Sequence, residues 1–282
     1  MSEYVNNERM GPRSGLVETG DGGRFNWGNY YKGQPHSISR GLCPGSKPFY
    51  TNGERIVGNA EDKYPLWKGP AKIPVYAVEG EQVTFSSTST EDAPGGTGIA
   101  RFMMYYLDVN LDEKEEEIEL NGTTEVTSTA TDVRWVQELL VTSRDDVGSN
   151  DSAVGDIEGV VNGGSPACFI ASGDLTQLSS FMCVPRGKVF FIDGVTVATA
   201  SATSDSRSTI RLVYNISDLL VSTSSFSVQN GGYHIPTAVG KGFPEGTVVG
   251  MTATTNKAAV VGGQIIGRIE PDCFNFEQPV VG

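Results

Sequence analysis

The chain is poor in the residues from which catalytic sites are usually built. Its 282 residues include two histidines, His36 and His234, and four cysteines, Cys43, Cys168, Cys183 and Cys273. No two cysteines stand as Cys-x-x-Cys, which argues against a zinc site. A Ser-His-Asp triad needs a histidine held by a carboxylate within reach of a serine. Both histidines are flanked by Gly or Pro turn residues, and neither lies in a Gly-x-Ser-x-Gly setting, so they read as loop histidines. No apolar run approaches the ~20 residues of a membrane helix. The N-terminus also lacks the basic segment and apolar run of a signal peptide. The expected setting is a cytosol, or a larger particle assembled there. Under those redox conditions Cys168 and Cys183 are expected as free buried thiols, although they could meet across neighbouring strands. Amphipathic helices longer than two turns are missing, and no β-α alternation supports a doubly wound sheet. No internal repeat of fixed period is present.

What is abundant is glycine, at 35 residues, beside a low hydrophobic content of 38%. From residue 73 to 272 the sequence reads as about a dozen short strands with turns at ~8–12 residue spacing. Strands are expected at 73–78, 83–87, 99–107, 156–161, 169–171, 178–184, 209–215, 226–229, 246–254 and 258–269. Residues 133–143 (VRWVQELLVTS) could form a short helix by spacing, but their Val, Trp and Thr content favours a strand. Two hairpins are expected, around Asn121-Gly122 and Asp193-Gly194, because such pairs tolerate positive φ. In the first, a strand at 117–120 would return through a strand at 125–129. The expected fold is all-β, an antiparallel β-sandwich or jelly roll with an extended N-terminal arm.

Residues 1–72 differ from the rest. Gly and Pro recur, no period of 2 or 3.6 persists, and aromatics are interleaved: Phe25, Trp27, Tyr30, Tyr31, Phe49, Tyr50, Tyr64 and Trp67. Such a segment cannot bury a core of its own. It is expected as an arm that docks its aromatics on its own body or on a neighbouring subunit, since Trp and Tyr dominate interface hot spots. Residues 73–272 would be the body and 273–282 a C-terminal tail. The arm carries 10 Lys/Arg and 7 Asp/Glu, net +3; the remainder carries 11 and 27, net −16. An acidic body without a basic stripe argues against nucleic-acid binding.

Carboxylates are plentiful without forming a site. The run Asp112, Glu113, Glu115, Glu116 and Glu117, broken only by Lys114, is packed as a solvated turn would be. A calcium loop instead spaces its oxygens at alternating positions. Asp145, Asp146, Asn150 and Asp151 around Gly148 fit calcium slightly better, but turn chemistry explains them equally well. Gly95-Gly96-Thr97-Gly98 lacks the Lys and helix of a phosphate loop. No catalytic residue, metal or cofactor is expected.

One stretch is familiar as a pattern. Leu107-Asp108, an acidic run with Glu117, Leu120-Asn121-Gly122-Thr123-Thr124 and Val126-Thr127 stand in order. They are followed by Gly148-Ser149-Asn150, Gly155-Asp156-Ile157, Val184-Pro185-Arg186-Gly187-Lys188 and Pro244-Glu245-Gly246. This order resembles a signature of tailed-bacteriophage virion proteins, especially those of short-tailed marine phages. It covers roughly residues 85–272 and departs from the pattern at Tyr106, where Gly is usual. The resemblance implies a non-enzymatic virion protein assembled in the host cytoplasm, with other virion proteins, the major capsid protein or tail components, as partners. The expected form is a capsid decoration (cement) protein, a homo-oligomer and by analogy a trimer. Two alternatives stand beside it. One is a tail, collar or fibre-attachment component. The other is a host-receptor or carbohydrate-binding module using Tyr233-His234 and the loop at 91–98.

Overall fold

The computed structural model describes residues 16–18, 24–26, 46–58, 60–142, 152–161, 164–202, 205–216, 219–236 and 242–272. It is all-β, and the sheets are antiparallel. β1 (Leu16–Glu18) and β2 (Arg24–Asn26) pair with each other. The remaining strands form two sandwiches, one inserted in the other.

The outer sandwich uses both ends of the described chain. Its first sheet holds β3 (Lys47–Val57), β13 (Lys188–Ala200), β16 (Gly231–Pro236) and β19 (Ala259–Pro271), in the order β16-β13-β19-β3, with the short β17 (Gly242–Phe243) on β13. Its second holds β4 (Ala60–Pro65), β12 (Met182–Cys183), β14 (Arg207–Ile216), β15 (Leu219–Gln229) and β18 (Val248–Thr255). There β4 and β12 both pair with β18, which is followed by β14 and β15. Take β3, β4, β13, β14, β15, β16, β18 and β19 as first to eighth. The sheets then read first-eighth-third-sixth and second-seventh-fourth-fifth. The nested pairs first-eighth, second-seventh, third-sixth and fourth-fifth are those of a jelly roll, a ribbon of antiparallel pairs rolled up once. Val57, Phe190, Val195, Val197, Ile210, Leu212, Met251, Val261 and Ile265 meet between the sheets. On β14 the alternation sends Ile210, Leu212 and Tyr214 into this core and Val213 to the other face.

The inserted sandwich fills the connection from second to third jelly-roll strand. One sheet is β11-β10-β5-β8, from Ser165–Ile170, Ile157–Val161, Thr84–Ser87 and Val126–Thr127. The other is β7-β6-β9, from Glu113–Glu119, Arg101–Asp108 and Val133–Val141. Phe85, Phe102, Met104, Leu139 and Ile157 fill the space between them. The ends of the insert are tied together. Lys68 N donates to Leu178 O, Ser180 N donates to Leu66 O, and Trp67 bridges Ser179. A third cluster joins the sandwiches: Leu107 and Trp135 from the insert meet Phe181, Cys183, Val213 and Val248 from the jelly roll. Beside it the Gln137 side chain acts as a strand partner. Its Nε2 donates to Cys183 O (2.5 Å), and its Oε1 accepts from Cys183 N (3.1 Å).

Several expectations need correction. The strands of the body begin at Lys47 rather than at 73, so about a quarter of the expected arm, residues 47–65, is jelly roll. The body is two sandwiches rather than one. Residues 73–78 form no strand; this segment is held by Val75 N to Pro166 O and Ala77 N to Arg134 O. Asn121-Gly122 is not a hairpin between paired strands: β7 pairs with β6, and β8 pairs with β5. The turn carries the chain from one sheet of the insert to the other. Asp193-Gly194 is no turn either, because β13 runs through it with a bulge. The 133–143 segment is a strand to Val141, and the 112–117 acidic run lies mostly on β7.

One carboxylate organises the loop end of the insert. Asp92 is fully buried. Ser87 Oγ donates to its Oδ2 (2.5 Å), Ile99 N and Val154 N to its Oδ1 (3.0 Å each), and Gly155 N to its Oδ2 (2.8 Å). Its backbone carbonyl accepts Gly122 N. Asp92→Ala leaves the four donors to the carboxylate unpaired and is expected to lower stability by about 3 kcal/mol, the scale for breaking one buried charged hydrogen-bond network. Thermal unfolding followed by circular dichroism checks this; an unchanged midpoint contradicts it.

Candidate functional site

The outward face of the first jelly-roll sheet is the candidate surface. Strand alternation on β3 turns Thr51, Gly53 and Val57 inward and Tyr50, Asn52, Glu54 and Ile56 outward. The register then sets rows across the sheet: Tyr50–Ile266–Gly194, Asn52–Gln264–Thr196, Glu54–Gly262–Ala198 and Ile56–Val260–Ala200. Gly262 and Ala198 keep the middle low, leaving a 320 Å³ depression bordered by Asn52, Glu54, Leu178, Thr196 and Gln264. Large apolar side chains stand beside it: Ile56 is 77% exposed, Tyr50 66% and Val260 38%.

One end of this face is fixed by a buried cation. Arg268 lies 4.7 Å over the Phe191 ring, donates from Nε to Glu270 Oε1 (2.6 Å), and pairs through Nη1 with Asp193 at the bulge. Burial disfavours its charge, but the Glu270 and Asp193 carboxylates outweigh this and hold the guanidinium above its ordinary pKa. The bulge that replaces the expected Asp-Gly turn thus aims Asp193 at Arg268.

A cleft runs beside β3, between the two sandwiches. It consists of a 420 Å³ and a 260 Å³ cavity that share Pro48, Phe49, Gln137 and Glu138. Tyr50 lines the first, and Tyr105 and Tyr106 line the second together with Lys47, Lys114 and Lys188. Burial raises the Glu138 carboxyl above its ordinary pKa, against a lowering hydrogen bond with Thr176. What face and cleft offer is area, shape and aromatic contact.

The sequence-selected interface residues do not gather here as a set. Phe25 falls on β2; Trp27, Tyr30 and Tyr31 lie outside the described residues. Phe49 packs edge-on to Phe190 (5.8 Å) against the jelly-roll core, and Tyr64 also packs there. Trp67 is fully buried, its Nε1 donates to Pro70 O (2.9 Å), and its ring meets Phe169. It is a core residue of this chain and offers no surface to a partner. Tyr50 is well exposed. Ile56 and Val260, which sequence reasoning missed, join it; the signal was the alternation along β3, obscured by Gly53.

The other candidate groups are dispersed. His234 lies on β16 rather than in a loop, with Nδ1 3.1 Å from Thr196 Oγ1. His36, Cys43, Cys273 and the Asp145–Asp151 group fall outside the described residues. The loop at 91–98 and Tyr233-His234 belong to different sandwiches. Glu116 accepts from Thr129 N, Thr129 Oγ1 and Ala130 N, which is structural work at a strand edge. Among the described residues, no group of three or more His, Cys, Asp or Glu is placed to hold a metal ion. Cys168 and Cys183 are free and buried in separate clusters.

No protein-family model and no curated protein matches the chain. Among solved structures it is similar to a chain of the cowpea mosaic virus top component, naturally occurring empty particles, at 10% identity and TM-score 0.21, over 72% of this chain and 85% of that one. It is similar to infectious bursal disease virus, Gx strain, at 7% identity and TM-score 0.24, over 82% and 74%. The VP2 subviral particle of infectious bursal disease virus gives 10% identity and TM-score 0.21, over 80% and 72%. Likenesses at this level carry no argument about function.

Two predictions follow from the geometry. Trp67→Ala is expected to destabilise the protein by about 3–5 kcal/mol, the range for emptying a buried aromatic site. Tyr50→Ala and Ile56→Ser should stay within about 0.5 kcal/mol, as surface changes do; chemical denaturation measures all three. Burial pushes the Cys183 thiol up to about 12 and raises Cys168 as well. Both should therefore resist disulfide reagents at neutral pH and titrate only after unfolding. Rapid labelling of either in the native protein contradicts this.

Proposed function

We propose that the protein is a non-enzymatic structural component of a tailed-phage virion, most concretely a capsid decoration protein. The observation that carries this reading is the pairing of a jelly-roll scaffold with the ordered motif series from Leu107 to Gly246. Among the described residues, three of the motifs make turns or crossings of the framework. Leu120 to Thr124 forms the crossing between the sheets of the insert, Gly187 makes its turn at φ +64, and Gly246 its turn at φ +75. Jelly rolls also serve as lectins and small-molecule binders, so fold alone does not choose among them.

The distribution of charge supports assembly. Residues 73–180 carry 20 Asp/Glu against 4 Lys/Arg, net −16, whereas residues 181–282 carry 7 of each. With residues 1–72 at +3, the jelly roll is nearly neutral and the insert holds the acidity. A neutral sandwich with an exposed apolar face suits contact with other virion proteins; a strongly acidic one suits solvent. In this reading the jelly roll faces the particle and the acidic insert faces outward.

The cleft beside β3 keeps a second reading in view, a receptor- or glycan-binding module, because Phe49, Tyr50 and Tyr105 line it together with Glu138. Purified particles decide between them. The protein is expected at fixed stoichiometry on particles by mass spectrometry. Tyr50→Ala with Ile56→Ser should weaken its retention at least tenfold while the fold persists. If that variant stays on particles and loses binding to host cells or glycans, the receptor reading replaces assembly.

A further inference from the structure

β15 and β16 follow each other in the chain and close the same side of the jelly roll. β15 is outermost in the second sheet and β16 is outermost in the first. Among the described residues each has a strand partner on one side only, β14 and β13 respectively. From Leu219 to Gly240 the sequence has no Asp, Glu, Lys or Arg, its longest such stretch, in a chain of net charge −13.

Open strand edges are templates for pairing with another chain, and proteins blunt them with charge, proline, brevity or a bulge. The other outermost strands carry such devices. β7 reads EKEEEIE. β3 holds Lys47, Pro48, Glu54 and Arg55, and β11 holds Pro166. β8 has two residues. β9 is met by a bridge from Thr176 to Leu140 and a hydrogen bond from Gln177 N to Leu139 O. β15 reads LLVSTSSFSVQ, and its one interruption is the register shift that leaves Thr223 unmatched against β14. Beyond that bulge, Ser224 to Gln229 pair without a break. Tyr233, on the neighbouring β16, is 54% exposed.

We infer that a second copy of this chain docks on this side, with β15 antiparallel to its counterpart through residues 224–229. The charge pattern selects the occupant. A two-fold antiparallel contact sets the strand against its own sequence in reverse. Ser, Phe, Val and Gln accept that, whereas the glutamates of β7 would oppose one another. The jelly-roll sheet then continues across the dimer. This deepens the assembly reading above and rests on it for self-association.

The test is sedimentation velocity on the full chain. Wild type is expected as a dimer, or as a larger assembly containing that dimer. Ser225 and Ser227 are exposed, so Ser225→Glu with Ser227→Glu should leave circular dichroism and melting unchanged while raising the dimer dissociation constant at least tenfold. Ser225→Ala with Ser227→Ala should stay associated. Single cysteines at 224, 225 and 227, in a chain with Cys43 and Cys273 replaced by Ser, should give an inter-copy disulfide at one position or more. A wild type that sediments as a monomer at its highest soluble concentration overturns the proposal. So does a Glu variant that keeps the wild-type assembly. In that second case the chain still self-associates and the assembly reading stands; absence from particles would sink that reading whatever the solution state.

Discussion

The structure depends on β19 lying between β13 and β3. Its last residues pair with Lys47–Thr51 on one side and with Lys188–Ile192 on the other. The first sheet therefore closes only when strands about two hundred positions apart in sequence have met. Closing so long a loop adds little entropy beyond closing a shorter one, but it makes folding slow. The insert shortens the search. Its ends are hydrogen-bonded to each other at 66–68 and 178–180, so once it has folded, the second and third jelly-roll strands start from neighbouring points. The bidentate hold of Gln137 on Cys183 and the packing of Trp135 with Phe181 and Val248 then set the sandwiches against each other.

Much of the fold was legible in the sequence. Fold class, most strand positions and the absence of helix among the described residues followed from alternation and composition. The segment before residue 73 reads as an arm because glycine hides its alternation. Gly53 faces inward on β3, where an added Cβ would lie 2.1 Å from Leu66 O and 2.6 Å from Ser180 N. No side chain larger than hydrogen fits there, so a core position reads as a breaker. Gly250 and Gly263 repeat the effect, beneath the Phe181 ring and the Met251 side chain. Abundant glycine looked like turns; part of it is close packing inside strands. β18 is buried on both faces. The insert covers its outer face, through Val248.

Both turn signals failed for one physical reason: long-range pairing outweighs local preference. Gly122 does take positive φ, +59. Its N–H goes to Asp92 O and its C=O accepts Ser87 N, however, so the turn belongs to a junction of sheets. At Asp193-Gly194 the ladder with β19 continues on both sides, and one unmatched residue is absorbed as a bulge. A hairpin there would forfeit that ladder and leave Arg268 without Asp193. No local pattern could announce either outcome, because the deciding partners lie 30 and 75 positions away.

The candidate surface was legible only once the insertion was known. Read linearly, the charge pattern is a basic arm before an acidic body. Read through the topology, it is an acidic insert in a neutral jelly roll, and β3 moves from the arm to the neutral part. This changes what repulsion does. Like charges on the insert, with the glutamates of β7 along one of its edges, keep inserts apart in any assembly. The sheet face around Tyr50 and Ile56 and the uncharged side at β15 and β16 carry no such penalty. Exposed ion pairs contribute only about 0–1 kcal/mol each, so the acidity excludes contacts more than it makes them. In the proposed assembly, affinity would come from buried apolar area and from strand pairing, and both are concentrated on the jelly roll.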